Sequence, residues 1–334
     1  MDEIKFKNVL ITGGAGYVGS ALVPSLLEKG YNVTVYDLYL YGDVFKDIEN
    51  NTNLTQIKAD IRNKEKLIDA TKNIDAIIHL ACISNDPSYE LDPELGKSIN
   101  YDAFFNLLEA AKVNKIKRFI YASTSSVYGI KKEKDVRETA TCNPLTDYSK
   151  YKLECEKLLL NYNETKMDRV VLRPATVCGY ARRLRLDLVV NILTIHALVN
   201  KKIRVYGGEQ LRPNINMNDR VRAYETLLTA PSEKVDGEIF NAGYQNLSVN
   251  EIANLVKNSI NYENIEIEHI KTDDIRSYHI NSDKIRDVLG FEPKYTIQDA
   301  ISSLVDAYNN GLIVDGLNNP MYHNIKLMRE INLK

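Results

Sequence analysis

Residues 147 to 152 read DYSKYK, and Tyr148 and Lys152 stand four apart, the spacing that puts two side chains on one face of a helix. A phenol and an ammonium so placed can act as a pair, the cation stabilising the phenolate so that the group is ionised and available as a base nearer neutral pH. Tyr151 has no such partner, because the position four residues on is Cys155. To serve as a base near neutrality, a tyrosine must lose about three pKa units, roughly 4 kcal/mol. One ammonium at ~5 Å supplies about 3 kcal/mol of this at an effective dielectric near ~20. A second candidate lies upstream, where Ser123, Thr124, Ser125 and Ser126 put four hydroxyls in a row around the start of TSSVYG, a cluster that also reads as a serine-rich strand end. A third is ITGGAGYVGS, with Gly13, Gly16 and Gly19 spaced three apart. Such glycines let the backbone turn tightly and approach a phosphate, and a helix that follows aims its unpaired N–H groups at the anion.

The elements that must carry these groups follow from apolar patterning. Short β-branched runs, NVLITGG, NVTVYD, LTQIKAD, AIIHLA, RFIYAS and RVVLRPATV, alternate with stretches at helical spacing such as Leu22, Val23, Leu26 and Leu27. Strict alternation predicts βαβ units, and strands apolar on both faces predict a parallel sheet covered by helices. The fold class is therefore α/β, a Rossmann-type doubly wound sheet with a smaller interleaved α/β substrate lobe. Its expected bounds are 1–175 for the dinucleotide-binding domain, with a returning segment near 212–245, and 176–211 with 246–334 for the lobe. The second strand ends at Asp37, where a carboxylate accepts hydrogen bonds from ribose hydroxyls and repels a 2′-phosphate. That selects NAD. The third strand run ends at Asp60, placed for an adenine amino group, and Asp60 also reads as a turn residue.

Composition excludes other classes. The chain has 334 residues, 44% of them hydrophobic, and a formal net charge of −2, which leaves no electrostatic footprint for nucleic acid or an anionic membrane. Cys82, Cys142, Cys155 and Cys178 form no CxxC pair, and His79, His196, His269, His279 and His323 form no cluster, so no metal is indicated. The longest apolar run, 184–199, is broken by Arg185, Asp187, Asn191 and His196 and falls short of the ~20 residues of a membrane span. With no signal-peptide pattern at the start, a cytoplasmic protein is expected.

TGGAGYVG, Asp37, ADIR at 59–62, HLA at 79–81, TSSVYG, the Tyr148–Lys152 pair and LRPATV at 172–177 together resemble the extended short-chain dehydrogenase/reductase family, of the nucleotide-sugar epimerase/dehydratase type. The resemblance covers almost the whole chain. It implies that Tyr148 is the catalytic base, that Lys152 also holds the nicotinamide ribose, and that Thr124 bonds the reacting sugar oxygen. Cofactor contacts are expected from Gly13, Gly16, Tyr17, Val18, Gly19, Asp37, Asp60, Ile61, Leu80, Ala81, Tyr148 and Lys152. Substrate contacts are expected from Ser84, Asn85, Thr124, Asn191, Arg212 and Arg276, the two arginines suiting a diphosphate. Arg182, Arg183 and Arg185 either rim the sugar pocket or lie in a solvated loop. The partner is a nucleotide-diphosphate sugar, and a homodimer through the helix of Tyr148 and the one near 97–113 is implied.

Family dehydratases carry Asp-Glu after the threonine, where this chain has Ser125 and Ser126, so the resemblance speaks against 4,6-dehydration. It leaves NAD-dependent epimerisation by transient oxidation at sugar C4, with release of the keto sugar as the alternative. A non-catalytic NAD-binding scaffold is the reading of another class, and the retained Thr124, Tyr148 and Lys152 argue against it. Two departures, Asn216 for a histidine and Cys178-Gly179-Tyr180 for Tyr-Gly-Pro, lie beside the expected pocket and leave sugar and base identity open.

Overall fold

The β-branched runs fold into strands β1 (Asn8–Thr12), β2 (Asn32–Asp37), β3 (Leu54–Lys58), β4 (Ala76–His79), β5 (Arg118–Ala122) and β6 (Asp168–Pro174). The second half supplies β7 (Thr176–Cys178), β8 (Lys202–Tyr206), β9 (Leu211–Asn216), β10 (Glu238–Ala242), β11 (Gln245–Ser248) and β12 (Glu266–Ile270). The structure, a computed structural model, describes residues 5–331 apart from 132, 134, 261, 273–276 and 278. Seven strands form one parallel sheet in the order β10-β6-β5-β4-β1-β2-β3. The order reverses between β1 and β4, which is where open sheets of this kind bind ligands.

Burial explains which runs lack alternation. β4 and β5 are buried at every position because helices cover both faces, whereas edge strand β3 exposes Thr55, Gln56 and Lys58. On one face the helix Gly19–Glu28 buries Leu22, Val23 and Leu26, and the helix Met217–Thr229 adds Tyr224 and Leu227 to the same core. On the other, the helices Ala103–Val113 and Asp147–Leu160 bury Phe104, Leu107, Leu108, Tyr148 and Leu159 in a second core.

The remaining strands build the lobe. β7 pairs parallel with β9, β9 pairs antiparallel with β11, and β12 lies parallel to β8. The chain returns to the large sheet through the helix Met217–Thr229 and β10, so the end of β9 is the junction between the two parts. Asn216, the departure noted above, caps that helix by accepting the Asn218 N–H at 2.9 Å and donates to the Thr296 carbonyl at 3.1 Å. Cys178 is a buried filler whose thiol faces the Ile215 carbonyl. Among the described residues, no helix is long and apolar enough to cross a membrane.

Candidate active site

A cavity opens at the carboxyl ends of β1 and β4, and every residue expected to hold the cofactor, from Gly13 to Lys152, borders it. Gly13 has φ +70°, and a Cβ there would lie 2.5 Å from the Ala81 nitrogen, so only glycine lets the ends of β1 and β4 approach. Asp37 ties the glycine loop to β2: its carboxylate accepts the Ala15 N–H at 3.0 Å and the Tyr39 N–H at 2.7 Å, and burial pushes its pKa up. Asp60 accepts the Arg62 backbone and guanidinium. Burial alone would raise its pKa, but these bonds outweigh burial and hold it below the usual carboxylate range.

Tyr148 enters from the opposite side of the cavity. The helix Asp147–Leu160 starts at a capping box in which Thr146 accepts the Ser149 N–H, and the Thr146 hydroxyl also donates to Asp86. This anchors the first turn, which carries Tyr148, to the loop after β4. Lys152, one turn on, is 3% exposed; its Nζ donates to the Ala122 carbonyl at 2.8 Å and sits 5.9 Å from the Tyr148 ring centroid. The expected lowering of the Tyr148 pKa is not what the chain alone produces. Burial pushes that hydroxyl well above its ordinary value, Cys82 and Asp86 add to the rise, and Arg185 and the Asn85 N–H oppose it. Lys152 meanwhile spends a donor on the Ala122 carbonyl, and desolvation of the phenol is the largest effect on it.

Asn85, whose backbone N–H favours the ionised tyrosine, has φ +74° and ψ 158°, a conformation costly for a residue with a side chain. Its side chain accepts the Ser88 N–H at 2.9 Å and holds that turn. Thr124 points into the same cavity; its oxygen accepts the Ser126 N–H at 3.2 Å and meets the Ser126 hydroxyl at 2.8 Å. Ser123 instead points down, donating to Glu156, which forms a buried ion pair with Arg173 at 2.6 Å. Lys150 pairs at the surface with Asp147, and the Tyr151 ring packs 5.1 Å from Tyr101.

The other five expected substrate residues divide. Ser84 and Asn85 border the cofactor cavity, and Arg212 borders an adjoining cavity shared with Asn85, Asp86, Ser126 and Thr176. Asn191 borders neither. It is fully buried, donates to the Arg185 carbonyl at 2.7 Å and the Tyr17 hydroxyl at 2.9 Å, and accepts the Gly179 N–H at 3.0 Å. Its amide hydrogens and its amide oxygen are thus taken up inside the protein, so it braces the loop after β7 against the glycine loop. Arg276 lies outside the described residues.

The arginine cluster divides. Arg182 is half-exposed and pairs with Asp47, whereas Arg183 and Arg185 are buried in the cavity wall. Arg185 is clamped by Asp187 and donates to Ser84 at 3.0 Å. Arg183 stacks 3.5 Å over the Tyr41 ring and donates to Asn324; burial pushes its guanidinium down to about 10. Residues missed from sequence also shape the cavity. Asn100 clamps both backbone groups of Ile83, and Asn324 and Met328, far away at the end of the described chain, close the wall. No local pattern marked them; a buried asparagine in a π-helical turn, as at Asn100, is visible only once the fold is known.

The family model described as "NAD dependent epimerase/dehydratase family" matches residues 9–243. The chain belongs to that family. It is 33% identical over 262 residues to a Bacillus subtilis protein named "Uncharacterized UDP-glucose epimerase YtcB", covering 75% of this chain and 81% of that one. To the dTDP-D-glucose 4,6-dehydratase of Bos taurus it is 29% identical, covering 90% and 88%. The solved structure of MoeE5 in complex with UDP-glucose and NAD superposes with a TM-score of 0.79 at 26% identity, covering 91% and 99%.

NAD is the cofactor, and the residues fit it. The glycine loop and Asp37 suit a diphosphate and an adenosine ribose. Arg183 keeps a buried Nε without a hydrogen-bond partner, a donor suited to an anionic ligand.

Proposed function

We propose that the protein is a nucleotide-sugar epimerase that oxidises C4 of its sugar transiently. The observation that carries this reading is the meeting of Thr124, Tyr148 and Lys152 at one cavity, with serines in the two positions after Thr124. NAD, when bound, supplies the hydride acceptor. Tyr148 takes the proton of the C4 hydroxyl, and the Asn85 N–H and the Arg185 charge favour the resulting tyrosinate. The Thr124 oxygen accepts the Ser126 N–H and meets the Ser126 hydroxyl; with Ser126 as the donor of that pair, the Thr124 proton is left to donate to the sugar oxygen. Ser125 and Ser126 carry no proton-transfer group of suitable pKa for removing water across C5 and C6, so the keto sugar is reduced again.

Arg212, with Arg276, is assigned to the substrate diphosphate, and the UDP-glucose of the named relatives makes a uridine diphosphate hexose the first substrate to try. A cytoplasmic homodimer fits the aromatic face shared by Tyr101, Tyr151 and the 47%-exposed Phe105. The test is a panel of UDP-, GDP-, CDP- and dTDP-sugars. An epimer formed without net NADH is the expected result; accumulating NADH with free keto sugar would establish the dehydrogenase reading instead. Tyr148→Phe should lower kcat by about 10³-fold while NAD stays bound, and near-full turnover would remove Tyr148 from the chemistry.

A further inference from the structure

Buried arginines are costly unless a carboxylate compensates them. Arg118 has Asp168, Arg173 has Glu156 and Arg185 has Asp187. Among the described residues, Arg183 and Arg220 are the buried arginines without a carboxylate partner, and both border the cofactor cavity. They serve different ends of it. Arg183 stacks on Tyr41 and its charge acts on Asp37, the ribose acid. Arg220 stands in the first turn of the helix Met217–Thr229, on the cavity wall that also includes Ala175, Thr176 and Val177, and Tyr148 is among the few groups close enough to act on its charge.

Arg220 is 5% exposed. Its Nη2 donates to the Tyr224 hydroxyl at 2.7 Å, its guanidinium carbon lies 4.8 Å from the Tyr224 ring, and its Nε and Nη1 are buried with no hydrogen-bond partner. A neutral tyrosine does not cancel the charge. The cation therefore acts undiluted on whatever occupies the reacting end of the cavity, through a medium that screens poorly.

We propose that Arg220 tunes the bound cofactor, favouring reduced over oxidised nicotinamide and so making bound NAD a stronger oxidant than it is in water. The oxidised ring carries a positive charge and the reduced ring is neutral, so a fixed cation nearby raises the energy of the first and leaves the second almost unchanged. Arg220 thereby eases removal of hydride from the sugar and holds NADH in place while the ketone waits to be reduced. The proposal rests on Tyr148 marking the nicotinamide end, as in the reading above.

The test measures cofactor binding without sugar, so it stands apart from whether any sugar turns over. Protein stripped of nucleotide is titrated with NAD by calorimetry and with NADH by its fluorescence, for the natural chain and for Arg220→Met, Arg220→Gln and Arg220→Lys. The methionine and glutamine variants should lower the ratio of Kd for NAD to Kd for NADH by about tenfold, while lysine keeps the ratio within about threefold. Glutamine retains donors and length, so it covers the case in which methionine does not fold. Equal changes in both affinities, or a lysine variant that behaves like glutamine, would overturn the proposal and make Arg220 a packing residue.

Discussion

Replacing Asn191 by alanine separates two roles that residue could have had. The side chain makes three hydrogen bonds inside the protein, to the Arg185 carbonyl, the Tyr17 hydroxyl and the Gly179 N–H, at 2.7, 2.9 and 3.0 Å. Alanine strands two backbone groups in a fully buried place and deprives Tyr17 of a donor, although Tyr17 keeps its own bond to the Gly179 carbonyl. A stranded buried polar group costs about 1–3 kcal/mol. Taking about 1 kcal/mol for each backbone group, and a similar amount for the void and the Tyr17 contact together, the loss is about 3 kcal/mol. For a chain of this size that lowers Tm by about 5 °C. Because Tyr17 and the loop of Arg183 and Arg185 both wall the cofactor cavity, NAD affinity should fall with it. The assay is thermal unfolding with and without NAD, beside KM for the sugar. An unchanged Tm and NAD affinity with a raised sugar KM alone would refute the bracing role and return Asn191 to the substrate.

Two further expectations concern the framework. Glu156→Gln leaves the Arg173 charge unmatched behind the strand end that carries Thr124 and should cost about 3 kcal/mol, whereas the Glu156→Leu, Arg173→Met double variant recovers most of it; equal losses by denaturant titration would contradict this. His79 is buried, bonded to the Thr12 hydroxyl at 2.6 Å, and burial, with the Lys152 charge, holds its pKa well below 6.5. The unfolded chain therefore binds the proton first: the stability His79 contributes is complete above 6.5 and is lost as pH falls below it toward the folded value. His79→Asn should flatten the slope of unfolding free energy between about pH 6.5 and 5 relative to the natural chain, and an unchanged slope would show that His79 titrates normally.

The parallel sheet and the glycine loop were legible because each depends on neighbours along the chain, whereas the strand order that sets the switch point between β1 and β4 came only with the fold. Val9, Leu10 and Ile11 in a row mean a strand buried on both faces, and Gly13 with Gly16 and Gly19 marks a turn that side chains would block. The pairing of Tyr148 with Lys152 was legible for the same reason, since one helical turn sets it. The later strands β9, β11 and β12 were not, because they are short and half-polar, and what makes them strands is pairing with partners distant in sequence.

At the site, residue types and spacings determined which groups could react, and tertiary structure decided what their surroundings make of them. Tyr148 has the right neighbour one turn away, yet its pKa moves upward, because burial sums over every element packed around it while spacing records only one. Arg183, Arg185 and Arg220 look alike as letters. Only the fold gives Arg185 a carboxylate and leaves the other two without one in the cavity wall, and at these depths the free energy of a charge depends on its partners more than on its type.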